Sequence, residues 1–320
     1  MQLQAILMLG VLAFHTKATP IEPTRNALQP RDTTPSNNIS EALFDNFKAF
    51  ADFSSASYCP NNENSAVGSP ITCTGNICPL VEVDPVTSVL EFGSENDTTV
   101  SDIRGYVAVD TARFVIVVAF AGSTNVRNWL ADFSFEELLY PTCTGCSVHS
   151  GFATGWAERR SIILPAVSTA LLNHPDYRIV VTGHSLGAAV GTLAAVDLRS
   201  WKDSVVDLYT YGSPRVGNQA FADFVTSQAP AQGSNFRMTH ENDPVPQLPP
   251  TLVGYQHTSP EYWLSGKDAL TDDYSSQDVV VCYGVGNEAC NAGTGLVPIN
   301  GEAHDHYLGL IAACQGQFSF

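Results

Sequence analysis

Arg178-Ile179-Val180-Val181-Thr182-Gly183-His184-Ser185-Leu186-Gly187-Ala188-Ala189-Val190 leads from a β-branched run through a Gly-x-Ser-x-Gly turn into small residues. Residues 179–182 have the composition of a buried strand, and Leu186, Val190, Leu193 and Ala194 then recur at helical spacing. A strand feeding straight into a helix through this turn strains the serine backbone and presents Oγ at the carboxyl end of the strand. Gly183 and Gly187 are small where strand and helix cross. The Leu186 amide, at the start of the helix, is free to donate to a developing oxyanion. Gly-x-Ser-x-Gly also arises by chance, so the strand-turn-helix context is what makes Ser185 a candidate nucleophile.

Upstream, residues 105–110 and 114–120 read as two strands joined by a polar turn, the second apolar throughout as a central strand should be. That strand runs into Ala121-Gly122-Ser123-Thr124. An elbow serine needs a second oxyanion donor from another strand end, and Ser123 is the candidate, with a plain turn as the alternative. Val126, Trp129, Leu130 and Phe133 then fall at i, i+3, i+4 and i+7, a two-turn amphipathic helix that could pack permanently or swing away at modest cost. Earlier still, Phe44, Phe47, Phe50 and Phe53 form the apolar stripe of a helix opening at Ser40 or Glu41.

Downstream, residues 161–173 read as a helix, with Pro165 tolerated by lying near its start. Residues 205–211 read as a strand closed by a turn at 212–218, and residues 236–240 as a short strand ending in Glu241-Asn242-Asp243-Pro244. Alternating strands and helices make the fold α/β with a mostly parallel central sheet.

A nucleophilic serine needs a general base, and the base needs an acid to fix its tautomer; after an elbow the chain order is Ser, acid, His. Asp243, at a strand end, is the candidate acid, because Asp203, Asp207 and Asp223 sit in a polar loop, within a strand and on a surface helix. His257, His304 and His306 follow it, and the loop leading into the final apolar segment favours the last two. His149, His174 and His240 read as structural or surface residues, and His184 fills the variable place in the elbow. The pair in His304-Asp305-His306 lacks any supporting cluster for a metal, so no metal or cofactor is expected.

Residues 5–14 form an apolar run too short to span a bilayer, followed by Thr16-Lys17-Ala18. We expect a secretion signal over residues 1–18, a proline-rich pro-segment over 19–31 ending at Arg31, and one domain over 32–320. Asn38-Ile39-Ser40 and Asn96-Asp97-Thr98 are glycosylation acceptor patterns in keeping with secretion. The eight cysteines favour disulfides over metal in that setting. Cys73 with Cys78, Cys143 with Cys146, and Cys282 with Cys290 are close in sequence, which leaves Cys59 and Cys314 to staple the ends, although sequence alone allows about 105 pairings. A formal charge of −17 argues against nucleic acid or an anionic membrane as partner. It leaves oligomeric state open.

Taken together these residues resemble the secreted filamentous-fungal lipases of class 3, whose relatives include feruloyl esterases. The resemblance rests on Gly183-His184-Ser185-Leu186-Gly187, Phe120-Ala121-Gly122-Ser123 with Asn128-Trp129, Ser213-Pro214-Arg215-Val216-Gly217-Asn218, Thr239-His240-Glu241-Asn242-Asp243 and Ser259-Pro260-Glu261-Tyr262-Trp263. It implies an α/β-hydrolase-type fold with a short helical lid carrying Trp129. It further implies Ser185 as nucleophile, Asp243 as acid, His304 as base, and Ser123 and Leu186 as oxyanion donors. The spacing to Tyr307 and Cys314 selects His304 over His306. Six cysteines fall where the family has three bridges, and Cys282 and Cys290 are additional. The activity implied is a secreted serine carboxylester hydrolase cleaving triacylglycerols at a lipid-water interface. Its rivals are a soluble feruloyl-type esterase and a non-catalytic binding protein on the same fold.

Overall fold

The computed structural model describes residues 36–37, 39–93, 99, 101–123, 134–201, 204–295 and 300–315. In chain order the strands are β1 (Ser36–Asn37), β2 (Val86–Phe92), β3 (Gly105–Asp110), β4 (Val115–Phe120), β5 (Glu137–Leu139), β6 (Ser147–His149), β7 (Arg178–His184), β8 (Val206–Tyr211), β9 (Gly217–Asn218), β10 (Asn235–His240), β11 (Tyr255–Gln256), β12 (Glu261–Leu264) and β13 (Val279–Cys282). The helices are α1 (Glu41–Ala56), α2 (Pro79–Glu82), α3 (Ser150–Asn173), α4 (Leu186–Ser200), α5 (Gln219–Gln228) and α6 (Glu302–Asp305).

The main sheet has the order β1-β13-β12-β10-β8-β7-β4-β3-β2. Its five middle strands, β12, β10, β8, β7 and β4, run parallel, and the outer ones pair antiparallel. The fold is therefore α/β with a mostly parallel sheet, as its strand and helix alternation leads one to expect. A smaller antiparallel sheet has the order β11-β9-β6-β5.

Both faces of the main sheet are buried, and the period of two along each strand sorts its side chains between them. Val107, Ile116, Val118, Phe120, Val181 and Leu208 face α3 and α4, meeting Phe152, Trp156, Val167 and Leu193. Tyr106, Val117, Ala119, Val180 and Tyr209 face the other way, onto the Phe44, Phe47, Phe50 and Phe53 stripe of α1. Ser40 starts that helix by accepting from the Leu43 amide, an N-cap that satisfies one of the otherwise orphaned donors.

Two local expectations change. The helix expected over 161–173 begins at Ser150, so Pro165 lies in its interior. Pro165 and Ser161, whose carbonyl loses its helical donor, are both exposed, and water can satisfy the lost bond. Phe114, expected in a strand, belongs to the turn before β4, with φ 57° and 62% exposure. The Asp110–Arg113 turn, in which the Asp110 side-chain Oδ1 accepts from the Ala112 and Arg113 amides, accounts for that break in the alternation. Disulfides join Cys59 to Cys314, Cys73 to Cys78, Cys143 to Cys146 and Cys282 to Cys290. The first closes a loop of 255 residues of sequence separation.

Candidate active site

Ser185 ends β7 and precedes α4 with φ 56° and ψ −128°, the left-handed backbone that the elbow requires. Its amide donates to the Tyr211 carbonyl at 2.9 Å, which fixes the turn against the end of β8. Gly187 has to be glycine: a Cβ there would stand 2.3 Å from the Phe120 carbonyl oxygen. The Ser185 hydroxyl is fully buried and makes no hydrogen bond with the described residues.

His304 lies on α6 and reaches back over the elbow. Its Nδ1 is 2.8 Å from Asp243 Oδ2. A Cβ on Gly212, the residue after β8, would lie 3.0 Å from the His304 ring and 3.1 Å from Asp243 Oδ2, so the pair sits beside the turn that holds Ser185. Asp243 is held in turn. Tyr307 donates its hydroxyl to Oδ2 at 2.6 Å, the Val245 amide donates to Oδ1 at 2.8 Å, and Asn291 donates to the Asp243 backbone carbonyl at 3.0 Å. Burial and the adjacent Asp243 push the Tyr307 phenol far above its usual range, so it remains a donor. A carboxylate fixed in this way orients an imidazole and stabilises its protonated form.

His184 supplies a second connection. Its Nε2 lies 2.9 Å from the His304 backbone carbonyl, which can only accept, so Nε2 carries the proton. Its Nδ1 then accepts from the Tyr58 hydroxyl at 2.7 Å. Burial, and after it the neighbouring His304, lower the His184 pKa well below the usual value, which keeps the ring neutral. Tyr58 also accepts from the Gly122 amide. A Cβ on Gly122 would stand 2.3 Å from that hydroxyl and 2.9 Å from Ser185 Cβ, which brings the Ala121-Gly122-Ser123 turn directly beside the elbow. The helix end, the turn after β4, the elbow and the histidine loop are thus joined in one buried chain of hydrogen bonds.

Ser185, Asp243 and His304 are each 0% exposed. Val126, Trp129, Leu130 and Phe133, expected as a lid, lie outside the described residues, as do both glycosylation acceptor asparagines. His306 is turned away, its Nδ1 3.0 Å from Asp272 Oδ1. His257 is buried with Nε2–H donating to the Pro246 carbonyl at 2.6 Å, apart from the pair. Tyr58, Asn291 and the working place of His184 were not legible in the sequence, since partners separated by 126 and 48 residues meet only once the sheet is built. The one available signal was that His184 is enclosed by the elbow glycines.

The family described as Lipase (class 3) matches residues 117–253, and its N-terminal region matches residues 3–88. The chain is 44% identical over 311 residues to "Secreted mono- and diacylglycerol lipase 1" of Fusarium solani, covering 96% of this chain and 88% of that protein. It is 40% identical over 282 residues to "Secreted mono- and diacylglycerol lipase A" of Penicillium cyclopium, covering 88% and 90%. A crystal structure from Penicillium cyclopium superposes with a TM-score of 0.80 at 40% identity, covering 87% of this chain and 100% of that one. The triacylglyceride lipase of Rhizomucor miehei superposes with a TM-score of 0.74 at 28% identity, covering 88% and 100%.

Proposed function

The chain belongs to the class 3 lipase family, and from that premise we propose that Ser185, His304 and Asp243 hydrolyse acylglycerols through an acyl-enzyme. Ser185 Oγ attacks the ester carbonyl while His304 takes its proton. Asp243, on Nδ1, keeps the other ring nitrogen oriented for that transfer and stabilises the imidazolium. The Leu186 and Ser123 amides donate to the tetrahedral oxyanion. His304 then protonates the leaving alcohol, and water releases the fatty acid by the same steps.

The observation that carries this reading is the His304–Asp243 contact at 2.8 Å, set over the elbow that holds Ser185 at φ 56°. The protein is secreted, as its relatives are, and among the described residues no helix is long and apolar enough to cross a membrane. We assign residues 1–18 to the signal, 19–31 to a removed pro-segment, and Trp129 and its stripe to a lid. The names of the 40% and 44% identical relatives favour mono- and diacylglycerols over the triacylglycerols that the motifs suggest, and over feruloyl esters.

The test is a panel of initial rates on mono-, di- and trioctanoylglycerol and a feruloyl ester. Faster turnover of the partial glycerides, with the feruloyl ester inert, is the expected result. A feruloyl ester cleaved ahead of every glyceride would replace this reading with the esterase.

A further inference from the structure

Arg215, in the turn after β8, is a buried cation on which Glu261 and Glu288 act through space, with no carboxylate in contact with it among the described residues. Its side chain is buried, the residue being 6% exposed, and its Nη1 donates to the Gln247 and Pro249 carbonyls. Among the described residues no carboxylate makes an ion pair with it. The buried acid nearby, Glu261, is committed elsewhere. It pairs with Arg237 at 2.9 Å and accepts from Thr239, Asn287 and the Asn291 amide. His257, which also lines this region, donates to Pro246 and is held neutral by burial and by the two arginines.

Arg215 faces a cavity of about 190 Å³ between the loop that follows Asp243 and the loop closed by Cys282–Cys290. With Nη1 tied to the carbonyls, the Nε and Nη2 edge makes no hydrogen bond among the described residues. Those two N–H groups lie parallel on one side of the planar guanidinium, the fork that matches a carboxylate in bidentate fashion. Pro250, Leu252 and Ala292 give the cavity an apolar side, with Leu252 96% exposed. Glu288 stands exposed at its rim, where it opposes a multiply charged anion more than a singly charged one.

We propose that this cavity binds the carboxylate of a released fatty acid, with the Arg215 fork on the head group and Leu252, Pro250 and Ala292 on the first methylenes. That the acid is a fatty acid rests on the acylglycerol reading above. The anion site itself rests on Arg215. Gln247 and Pro250 belong to the segment that leaves Asp243, so the product would be held beside the catalytic acid's loop rather than on Ser185.

The test uses the secreted protein, first treated with a long-chain phosphonate so that the catalytic acyl site is filled, then titrated calorimetrically with octanoate, 1-octanol and inorganic phosphate. We expect one saturable site for octanoate, with octanol and phosphate at least tenfold weaker. Glu288→Gln should tighten octanoate about threefold, as removal of an exposed like charge does. Leu252→Ser should weaken it up to about tenfold through lost apolar contact. Both positions are exposed, so the fold tolerates the changes. No saturable site, octanol or phosphate binding as tightly as octanoate, or affinity unmoved by both variants would each overturn the proposal. Labelling is read separately by mass. A missing label on Ser185 counts against the catalytic assignment, while the isotherms and the two rim variants still decide the cavity.

Discussion

Four groups converge on Asp243: His304, Tyr307 and the Val245 amide on its carboxylate, and Asn291 on its backbone. If this arrangement serves His304, then His304→Ala should be nearly inactive, while His306→Ala, whose imidazole goes to Asp272, should keep activity within about threefold because an exposed pair contributes little. Kinetics on a dissolved ester measure both, and the reverse order would move the base. Tyr58→Phe deletes the hydroxyl between His184 and Gly122; it should cost about 1–3 kcal/mol of stability, measured by urea unfolding, since a buried bond is left unmade. Asp305 is a further titratable group beside the site. Burial raises its pKa from 3.8 to about 7, against the opposing charges of His304 and His306 and with the support of Asp243 and Glu302. The folded protein therefore holds a proton that the unfolded chain releases, and the stability this contributes is present below about pH 4 and lost as the pH rises through 7. Asp305→Asn, which mimics the protonated acid, should flatten the fall in stability across that window in urea titrations from pH 4 to 8. An unchanged slope would place the titration elsewhere.

At the scale of elements, the short loop closed by Cys282–Cys290 bears on the acid through Asn291, which donates to the Glu241 and Asp243 carbonyls. Replacing both cysteines by serine should destabilise by roughly 2–3 kcal/mol from loop entropy and lower kcat as well, because the support of Asp243 loosens. Unchanged kcat would make the loop structural only. The lid prediction concerns Val126, Trp129, Leu130 and Phe133, whose sequence spacing is that of an amphipathic helix and which lie outside the described residues. Exposing these large side chains in water costs roughly 1.5–3 kcal/mol each, a cost that an oil surface removes, so Trp129→Ala should weaken action on emulsions more than on dissolved esters. Equal losses would indicate a fixed helix. The elements most legible in the sequence were those with a strong local signature. The phenylalanine period of α1 and the β-branched run of β7 are set by burial, and each stands where it was read. The start of α3 was hidden because Ser150-Gly151-Phe152-Ala153-Thr154-Gly155 carries two glycines; tertiary burial of Phe152 and Trp156 outweighs their poor helix propensity.

For the whole molecule, the alternation of strands and helices indicates the mostly parallel sheet but not its strand order, and the nine strands bury both faces, which explains why β3, β4 and β8 are buried along their full length. The candidate nucleophile and acid were legible because they follow strand ends with their own sequence patterns, and the candidate base, on the short helix α6, because it precedes the final Tyr307 and Cys314. The hydrogen-bond chain from Tyr58 to His184 was not, since it depends on how α1 lies on β7. The charge of −17 sets solubility rather than fold, and an acidic surface suits an uncharged ester better than an anionic bilayer. The central claim is that this scaffold presents one nucleophile, Ser185, to an ester. It is tested most directly by reaction with a radiolabelled alkyl phosphonate, followed by peptide mapping. We predict one equivalent of label, all of it on Ser185, with activity lost in parallel and with Ser185→Ala folded, unlabelled and slower by a factor on the order of 10⁶. Stoichiometric label on another residue, or full activity in Ser185→Ala, would contradict the account.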